Sequence, residues 1–398
     1  MLIVGSGPAG AAAAYKIADI APQLADKVAV LEAGRHPRRK ICAGCVTGRG
    51  WGLLKSHGVE VEVPHIPIAS VVFLTAMGDI TLNRGGLGKI VRRYDFDSAL
   101  VRRVKEKGVT VFENSRVTAL EQNGDKVAVQ ITRLLDSVST ISKLSAKVVL
   151  GADGATSVVR KYLARTYRKP AKTIMVEAVG SHRTEKFENA LCFDFRPVVR
   201  GFRGYRWIFP AMSERENLFS VGVCEFQAGD GFNIIELIEE LLIEFNFKVI
   251  PGSKREFPFY QFNNRDILGG RGWLLAGESA GSDNLLAEGI SYAIESGFFS
   301  AEQVVRAFET GDFSFSKYTH DYHWSRVGKE LRTLKILADV FYGRLHRRSV
   351  RAGLFNAHLC ALGGDILAGD LEPRTKVALR IALNFWKTMA LQIFNRVD

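Results

Sequence analysis

LIVGSGPAG, at residues 2–10, places three apolar residues directly before a glycine-rich turn. The small-residue stretch that follows, AAAAYKI at residues 11–17, predicts a helix. In such a strand–turn–helix unit Gly5 makes the tight turn, Gly7 lets the backbone approach a pyrophosphate, and Gly10 lets helix and strand pack closely. The free N–H groups at the helix start, next to Pro8 and Ala9, favour anionic phosphates. The stretch therefore predicts a dinucleotide site.

A second apolar stretch, VAVL at residues 28–31, ends in an acid, Glu32. Glu32 lies 22 residues after Gly10, close to the spacing at which a Rossmann-type fold holds a ribose hydroxyl. A glycine turn without ligand, followed by a surface glutamate, is the less favoured alternative. The first strand begins at residue 2 and is shorter than such folds usually carry, so a longer native amino terminus is expected.

The composition is that of a globular protein, with 47% apolar and 24% charged residues in 398. Lys plus Arg at 54 against Asp plus Glu at 42 gives a formal charge of +12, which favours anionic partners. No basic and aromatic RNA motif or zinc-finger spacing is present, so no nucleic-acid partner is expected. No signal-peptide core or membrane-spanning apolar run is seen, which predicts a cytoplasmic location, in solution or peripheral to a membrane.

Four segments in chain order resemble the flavoprotein superfamily typified by para-hydroxybenzoate hydroxylase. They are GSGPAG at 5–10 with EAG at 32–34, RYDFD at 93–97, GADG at 151–154, and GESAG at 277–281 continuing to EGI at 288–290. The resemblance covers roughly residues 1–300 and implies an α/β fold with FAD as the cofactor. The resemblance also adds Ala33, the residue after Glu32, to the predicted cofactor contacts.

The resemblance also implies roles for the later segments. Arg93 would approach the flavin region, and Asp153 with Gly154 matches the family's DG motif. The implied contacts to the ribityl chain and the ring come from the last segment, at Gly277, Glu278, Gly281, Gly289 and Ile290. Glu278 stands where the family has aspartate, and the family's proline near Leu285 is missing. Taken alone, Asp153 is equally consistent with a capping or turn aspartate.

YRWIFP, at residues 205–210, resembles the YxWxFP motif of the geranylgeranyl reductase branch. Alternation along a strand puts Tyr205, Trp207 and Phe209 on one face, ahead of Pro210. Such an aromatic wall suits an apolar, flexible, polyunsaturated chain as substrate. The alternative is a buried aromatic strand in an ordinary core.

KICAGC, at residues 40–45, resembles the same branch's cysteine-containing segment, which implies that Lys40, Cys42 and Ala43 lie near the flavin. The resemblance makes Cys42 a candidate catalytic proton donor, although a merely buried thiol is nearly as consistent with the sequence. A CxxC metal half-site is excluded because no second pair exists, so no metal is expected. A redox dithiol of Cys42 and Cys45 stays open.

The carboxyl-terminal third is predicted to be helical. Residues 377–394 are mostly apolar with a narrow polar stripe, which indicates an amphipathic helix, and four arginines lie between residues 344 and 351. These features predict peripheral contact with an anionic membrane surface. A helix packed on the protein, with solvated basic residues, is an equally favoured alternative.

The sequence therefore predicts a Rossmann-type FAD-binding domain, an antiparallel β-sheet substrate domain and a helical carboxyl-terminal region. The FAD domain is discontinuous, at 1–66, 90–170 and 265–320; the substrate domain takes 67–89 and 171–264, and the helical region 321–398. The expected reaction is saturation of carbon–carbon double bonds in an isoprenoid lipid. A flavin monooxygenase or halogenase of an apolar or aromatic substrate, and a flavin-bearing lipid-binding protein, are the alternatives. The electron donor, NADPH or ferredoxin, stays open.

Overall fold

The computed structural model describes residues 1–135, 138–166, 168–213, 217–227, 231–343 and 357–370. The arginine-rich segment at 344–351 and the amphipathic segment at 377–394, on which the membrane prediction rests, lie outside these ranges. The helices of the described part are α1 (Pro8–Ile20), α2 (Gly48–Ser56), α3 (Arg93–Glu106), α4 (Ile234–Glu244), α5 (Ile290–Thr310), α6 (Tyr318–Trp324), α7 (Arg326–Tyr342) and α8 (Ala357–Ala368).

The strands fall into three sheets. In chain order they are β1 (Leu2–Val4), β2 (Ala29–Leu31), β3 (Cys45–Thr47), β4 (His65–Thr75), β5 (Gly78–Val91), β6 (Thr110–Phe112), β7 (Ser115–Asn123), β8 (Lys126–Leu135), β9 (Val138–Ala146), β10 (Val149–Gly151), β11 (Ala171–Val179), β12 (Ala190–Asp194), β13 (Gly204–Pro210), β14 (Leu218–Glu225), β15 (Lys248–Val249), β16 (Arg255–Phe259), β17 (Gly269–Gly270) and β18 (Trp273–Leu275).

The first sheet has the order β17-β18-β10-β1-β2-β6, parallel throughout except for β17. All three residues of β1 are buried, because α1 and α5 pack on the sheet and the three-stranded sheet β7-β8-β9 adds apolar side chains to the same core. Parallel strands end at one edge, where ligands bind in folds of this kind. The predicted α/β fold with a Rossmann-type sheet is confirmed.

Helix α1 lies close against α5 because both are built from small residues at their contact. A Cβ atom at Gly297 of α5 would clash with the carbonyl oxygen of Ala9, and Ala12 and Ala13 border the same point. This close packing brings the amino termini of α1 and α5 to the same region of the molecule, where Pro8 and Ile290 face one cavity.

The second sheet has nine strands in the order β15-β11-β14-β13-β12-β4-β5-β3, with β16 also paired to β11. One face packs on α4, and the other carries aromatic side chains toward α7 and α8. The sequence predicts an antiparallel sheet, and the structure differs at one pair: β4 and β12 run parallel, with Val71 opposite Leu191. More than 100 residues separate these strands, and parallel pairing requires such a long crossover.

The sheets only partly follow the predicted domain boundaries. Strand β3 lies within the predicted FAD-domain range 1–66 but pairs with β5 in the large sheet. After residue 300 the described elements are all helices, α5 to α8. Within the described ranges, no helix combines the length and apolar character needed to cross a bilayer.

Candidate active site

A cavity of about 220 Å³ connects the two large sheets. At one end it is bordered by the amino termini of α1 and α5, and at the other by the aromatic face of the nine-stranded sheet. From the predicted site residues it brings together Pro8, Lys40, Cys42, Ala43, Arg93, Tyr205, Trp207, Phe209, Glu278, Gly289 and Ile290. The remaining predicted residues are not part of its lining.

The glycine turn after β1 has the geometry that its sequence predicts. Gly5 has φ of +96°, a left-handed conformation that favours glycine. A Cβ atom at Gly10 would clash with the carbonyl oxygen of Gly5, so Gly10 is required for helix and strand to approach. The backbone conformation at Gly5 and the close packing at Gly10 therefore explain both glycines without any ligand.

Gly7 and Gly289 are different, because the protein itself does not require glycine at either position. Gly7 has φ of −67° and Gly289 has φ of −116°, both ordinary for any residue. The nearest atoms to a Cβ there would be Arg38 Nη2 and Ser282 Oγ, each 3.9 Å away. Each glycine precedes a helix, and the space that a side chain would fill is the space a phosphate or planar ring needs. The residues present thus fit a dinucleotide cofactor.

Glu32 lies at the end of β2 with both carboxylate oxygens engaged. Oε2 accepts hydrogen bonds from the Ser6 amide at 3.0 Å and the Ser6 hydroxyl at 2.6 Å, and Oε1 accepts from the Gly34 amide at 3.0 Å. Burial alone would raise the pKa of Glu32, but the charge of Arg38 and these hydrogen bonds hold that pKa below its ordinary value. The acid therefore stays ionised and can accept from a ribose hydroxyl. Its neighbour Ala33 is exposed.

Arg38 is a site residue that sequence reasoning missed. Its Nε lies 3.2 Å from Glu32 Oε1 and its Nη2 lies 3.5 Å from Asp97 Oδ2, so it joins β2 to α3 beside Gly7. Buried Arg93 forms a bidentate pair with Asp97 at 2.7 and 2.8 Å. Burial would lower the pKa of Arg93, but Asp97 keeps that pKa above its ordinary value. Two cations thus lie near the predicted pyrophosphate position and the cavity.

The DG motif precedes a short π-helix, Arg160–Ala164. Asp153 accepts from the Ser157 hydroxyl at 2.5 Å and the Val158 amide at 2.7 Å, which is a capping geometry. Burial raises the pKa of Asp153. Gly154 has φ of +79°, and a Cβ atom there would lie 3.6 Å from Glu278 Oε2. The motif therefore acts directly as a cap and borders Glu278.

Glu278 follows a turn that only glycine allows. Gly277 has φ of +63°, and a Cβ atom there would lie 2.6 Å from Ala9 Cβ. Gly281 has φ of +106°, and a Cβ atom there would lie 2.5 Å from Phe262 Cα. Burial raises the pKa of Glu278, which the charge of Lys40 partly offsets. Its carboxyl oxygens can accept hydrogen bonds from the hydroxyl groups of a polyol.

Cys42 and Cys45 are free thiols in different settings. Cys42 borders the cavity, and its sulfur accepts from the Gly44 amide at 3.4 Å. Cys45 lies in β3 and borders the same cavity, but burial, with the charge of Glu288, raises the pKa of the Cys45 thiol. Thiol exchange needs a thiolate, so Cys45 is poorly suited to a redox dithiol. Among the described side chains, no group of His, Cys, Asp or Glu is arranged to hold a metal ion.

The aromatic wall is a surface of β13 and its neighbouring strand. Tyr205, Trp207 and Phe209 all border the cavity, whereas Pro210 is buried at the strand end outside its lining. Phe193 of β12, which the sequence pattern did not single out, adds a fourth ring 5.2 Å from Phe209 and 5.5 Å from Tyr205 between centroids. The wall is continuous and apolar.

Trp207 is held in place by two partners on β14. Its Nε1 donates to Ser220 Oγ at 3.1 Å, and it pairs in register with Gly222. A Cβ atom at Gly222 would clash with the indole ring. The glycine therefore provides the room that the tryptophan occupies, a relation that spacing within β13 cannot show.

The loop before α5 runs along the cavity and contributes Ser282, Leu286 and Ala287 to its lining. Asp283 accepts from the amides of Leu285 at 2.7 Å and Leu286 at 3.0 Å, and burial raises the pKa of Asp283 to about 6. The Tyr205 hydroxyl donates to the Leu286 carbonyl, and the Tyr342 hydroxyl donates to the Leu285 carbonyl at 3.0 Å. The loop is thus held from β13 on one side and from α7 on the other.

Helix α8, in the carboxyl-terminal part of the described residues, borders the cavity. Leu367 borders the cavity, and Arg84 of β5 pairs with Asp365 and Asp370 around the end of the helix. The helix therefore belongs to the substrate end of the cavity. Local sequence pattern could not assign it there, because its partners lie about 280 residues away.

The comparisons with known proteins agree with this geometry. A family model described as FAD binding domain matches residues 1–230. The chain is 25% identical to digeranylgeranylglycerophospholipid reductase 2 of Methanosphaera stadtmanae, over 79% of this chain and 79% of that protein. A solved geranylgeranyl bacteriochlorophyll reductase-like protein of Thermoplasma acidophilum has a TM-score of 0.73 at 16% identity, covering 96% of this chain and 98% of that one. A flavin-dependent brominase has a TM-score of 0.68 at 18% identity, covering 100% and 99%. At these identities the two solved structures establish the fold alone.

Proposed function

The chain belongs to the FAD binding domain family and is an FAD-dependent oxidoreductase, and from that premise we propose that it saturates carbon–carbon double bonds of an isoprenoid lipid. One observation carries the proposal: the predicted flavin contacts and the aromatic wall border the same cavity. A relative named as a reductase of a geranylgeranyl lipid supports it. An apolar chamber of this kind fits a prenyl chain better than a small polar substrate.

Residues that follow strands of the six-stranded sheet, together with the start of α5, would hold the cofactor. The amides at the start of α1 would bind the pyrophosphate, Glu32 the ribose, and Glu278 the ribityl chain, while the amides at the start of α5 would lie near the ring. When bound and reduced, a flavin supplies hydride. The positive end of α5 stabilises negative charge at that position.

The remaining residues of the cavity would orient the alkene and keep water out. Tyr205, Trp207, Phe209 and Phe193 offer flat apolar surface to a flexible chain, and Leu367 covers it from α8. Apolar enclosure strengthens electrostatic interactions inside a site and prevents side reactions. The protein's part in the reaction is thus mainly positioning and exclusion of solvent.

We propose Cys42 as the donor of the proton that completes saturation, because it borders the cavity that the predicted flavin contacts share with the aromatic wall. Cys42→Ser is expected to lower turnover about tenfold while FAD stays bound, since a hydroxyl is a weaker acid than a thiol at the same position. Steady-state turnover and bound-flavin absorbance measure the two effects. Cys45→Ser is the matched control and should leave turnover within about twofold. Equal turnover in Cys42→Ser and the wild type would make Cys42 a packing residue.

The reaction is tested by reducing the purified holoprotein without oxygen and adding a geranylgeranyl lipid. Flavin reoxidation, together with a product heavier by two hydrogens for each reduced bond, is the expected result. Turnover that appears only with oxygen would contradict the proposal and favour the monooxygenase or halogenase alternative. No redox turnover under either condition, with lipid still bound, would favour the lipid-binding alternative.

A further inference from the structure

A second cavity, of about 130 Å³, lies behind the loop that precedes α5. Unlike the first cavity it is bordered mainly by polar side chains, several of them carboxamides. Its lining, among the described residues, is Arg168, Phe226, Gln227, Gln261, Phe262, Asn263, Asn284, Lys335, Ala338, Asp339 and Tyr342. Neither the predicted flavin contacts nor the aromatic wall includes any of these residues.

The charged groups of this cavity are already paired. Arg168 pairs with buried Asp266, and Lys335 Nζ lies 2.7 Å from Asp339 Oδ2 on α7. An anionic ligand would therefore compete with carboxylates already in place. Carboxamide side chains, in contrast, offer donors and acceptors without net charge. The composition favours an uncharged ligand that forms many hydrogen bonds.

Two buried polar atoms in the lining residues have no hydrogen-bond partner within the described structure: Asn284 Oδ1, an acceptor, and Arg168 Nε, a donor. Asn284 is only 6% exposed, and its amide orientation is fixed because Nδ2 donates to the Phe262 carbonyl at 3.1 Å. Leaving a buried polar group unpaired is costly. A hydroxyl group both donates and accepts, so a molecule with several hydroxyls can serve both atoms.

The second cavity shares a wall with the first. The rings of Phe226 and Tyr342 border the second cavity with centroids 4.9 Å apart, and Phe226 lies 6.0 Å from Tyr205, which borders the first. On the loop, Asn284 borders the second cavity, whereas Leu286 borders the first. Aromatic rings that border the two cavities are therefore direct neighbours.

We propose that the second cavity binds an uncharged, hydroxyl-rich group, such as a glycerol or sugar unit, either as a free polyol or as the head of a lipid. This site does not depend on the proposed reaction, because no residue assigned to hydride or proton transfer belongs to it. An occupant of the second cavity would hold Asn284, and with it the loop that contributes Leu286 to the first cavity.

Saturation-transfer NMR on the oxidised holoprotein, which cannot turn over, tests the site with glycerol, methyl glucoside and 1-O-hexylglycerol. Saturation of the polyol protons is expected with at least one probe. Asn284→Ala should weaken that binding about tenfold, since it removes one buried hydrogen bond and leaves a donor unmet. Binding of free glycerol or methyl glucoside would identify a free-polyol site, and binding of hexylglycerol alone would identify a lipid head.

Asn123→Ala, at an exposed turn of the three-stranded sheet, is the matched control and should not alter binding. Ala338→Leu fills the second cavity without removing a hydrogen-bonding group, and should block binding of the same probes. This variant serves as the test if Asn284→Ala fails to fold. The proposal is overturned if no probe is saturated, which would leave a cavity for water only. It is also overturned if hexylglycerol binds equally to wild type and both variants, or if the polyols fail to bind and inorganic phosphate binds instead, as followed by its phosphorus-31 line width.

Discussion

Replacing Gly7 with valine is expected to give a folded, colourless protein that retains no FAD. The fold tolerates the change, because φ of −67° suits valine and the nearest atom to its Cβ is the flexible end of Arg38, 3.9 Å away. The valine methyl groups would instead fill the space before the amides of α1. Overpacking costs about 1–3 kcal/mol, and each lost charge-assisted hydrogen bond costs about 1.5–3 kcal/mol more. FAD affinity should therefore fall more than about 100-fold.

The measurement is the flavin absorbance that remains after gel filtration, with the melting temperature as the check on folding. Gly85→Val is the matched control: Gly85 lies exposed in β5, has ordinary φ, and would have no atom within 4 Å of an added Cβ. It should stay yellow. A Gly7→Val protein with a full complement of FAD would place the pyrophosphate elsewhere.

Replacing Trp207 with alanine is expected to have a large effect on both stability and substrate binding. The indole is 4% exposed and packed against β14, so its loss should cost about 3–5 kcal/mol of unfolding free energy. KM for a prenyl substrate should rise at least about tenfold as the largest ring of the wall disappears. FAD should stay bound, because its predicted contacts lie outside β13.

Trp324→Ala is the matched control for Trp207→Ala. Trp324 is 55% exposed and stacks on Arg332, with the guanidinium carbon 4.3 Å from the ring centroid. Its loss should change stability by less than about 1 kcal/mol and leave KM unaltered. If Trp207→Ala destabilises the fold but keeps the wild-type KM, the tryptophan is a core residue and the substrate lies elsewhere.

The FAD-binding fold is predictable from the sequence because each of its requirements is local. Gly5, Gly7 and Gly10 serve a turn and a helix start within a single short stretch, and Glu32 follows one strand later. The faces of β13 are predictable for the same reason, since alternation along one strand decides which side chains share a surface. These parts needed no knowledge of distant contacts.

The other parts depend on pairings that no local pattern records. Arg38 reaches Asp97 across 59 residues of sequence, and Phe193 joins the wall only because β12 pairs with β13. Helix α8 reaches the cavity through contacts with β5 that span most of the chain. The sequence allows Asp153 to be either a cap or a ligand contact. Its hydrogen bonds to Ser157 and Val158 are those of a cap.

The fit between Trp207 and Gly222 has a consequence for how substrate preference can change. The two positions share one volume across a strand pair, so neither can be altered independently: any side chain at 222 forces the indole out of place, and a smaller residue at 207 leaves a void that 222 could fill. Variants altered at both positions should therefore deviate from the sum of the single effects. Divergence of chamber shape among proteins of this architecture would then proceed by compensated exchanges at this pair.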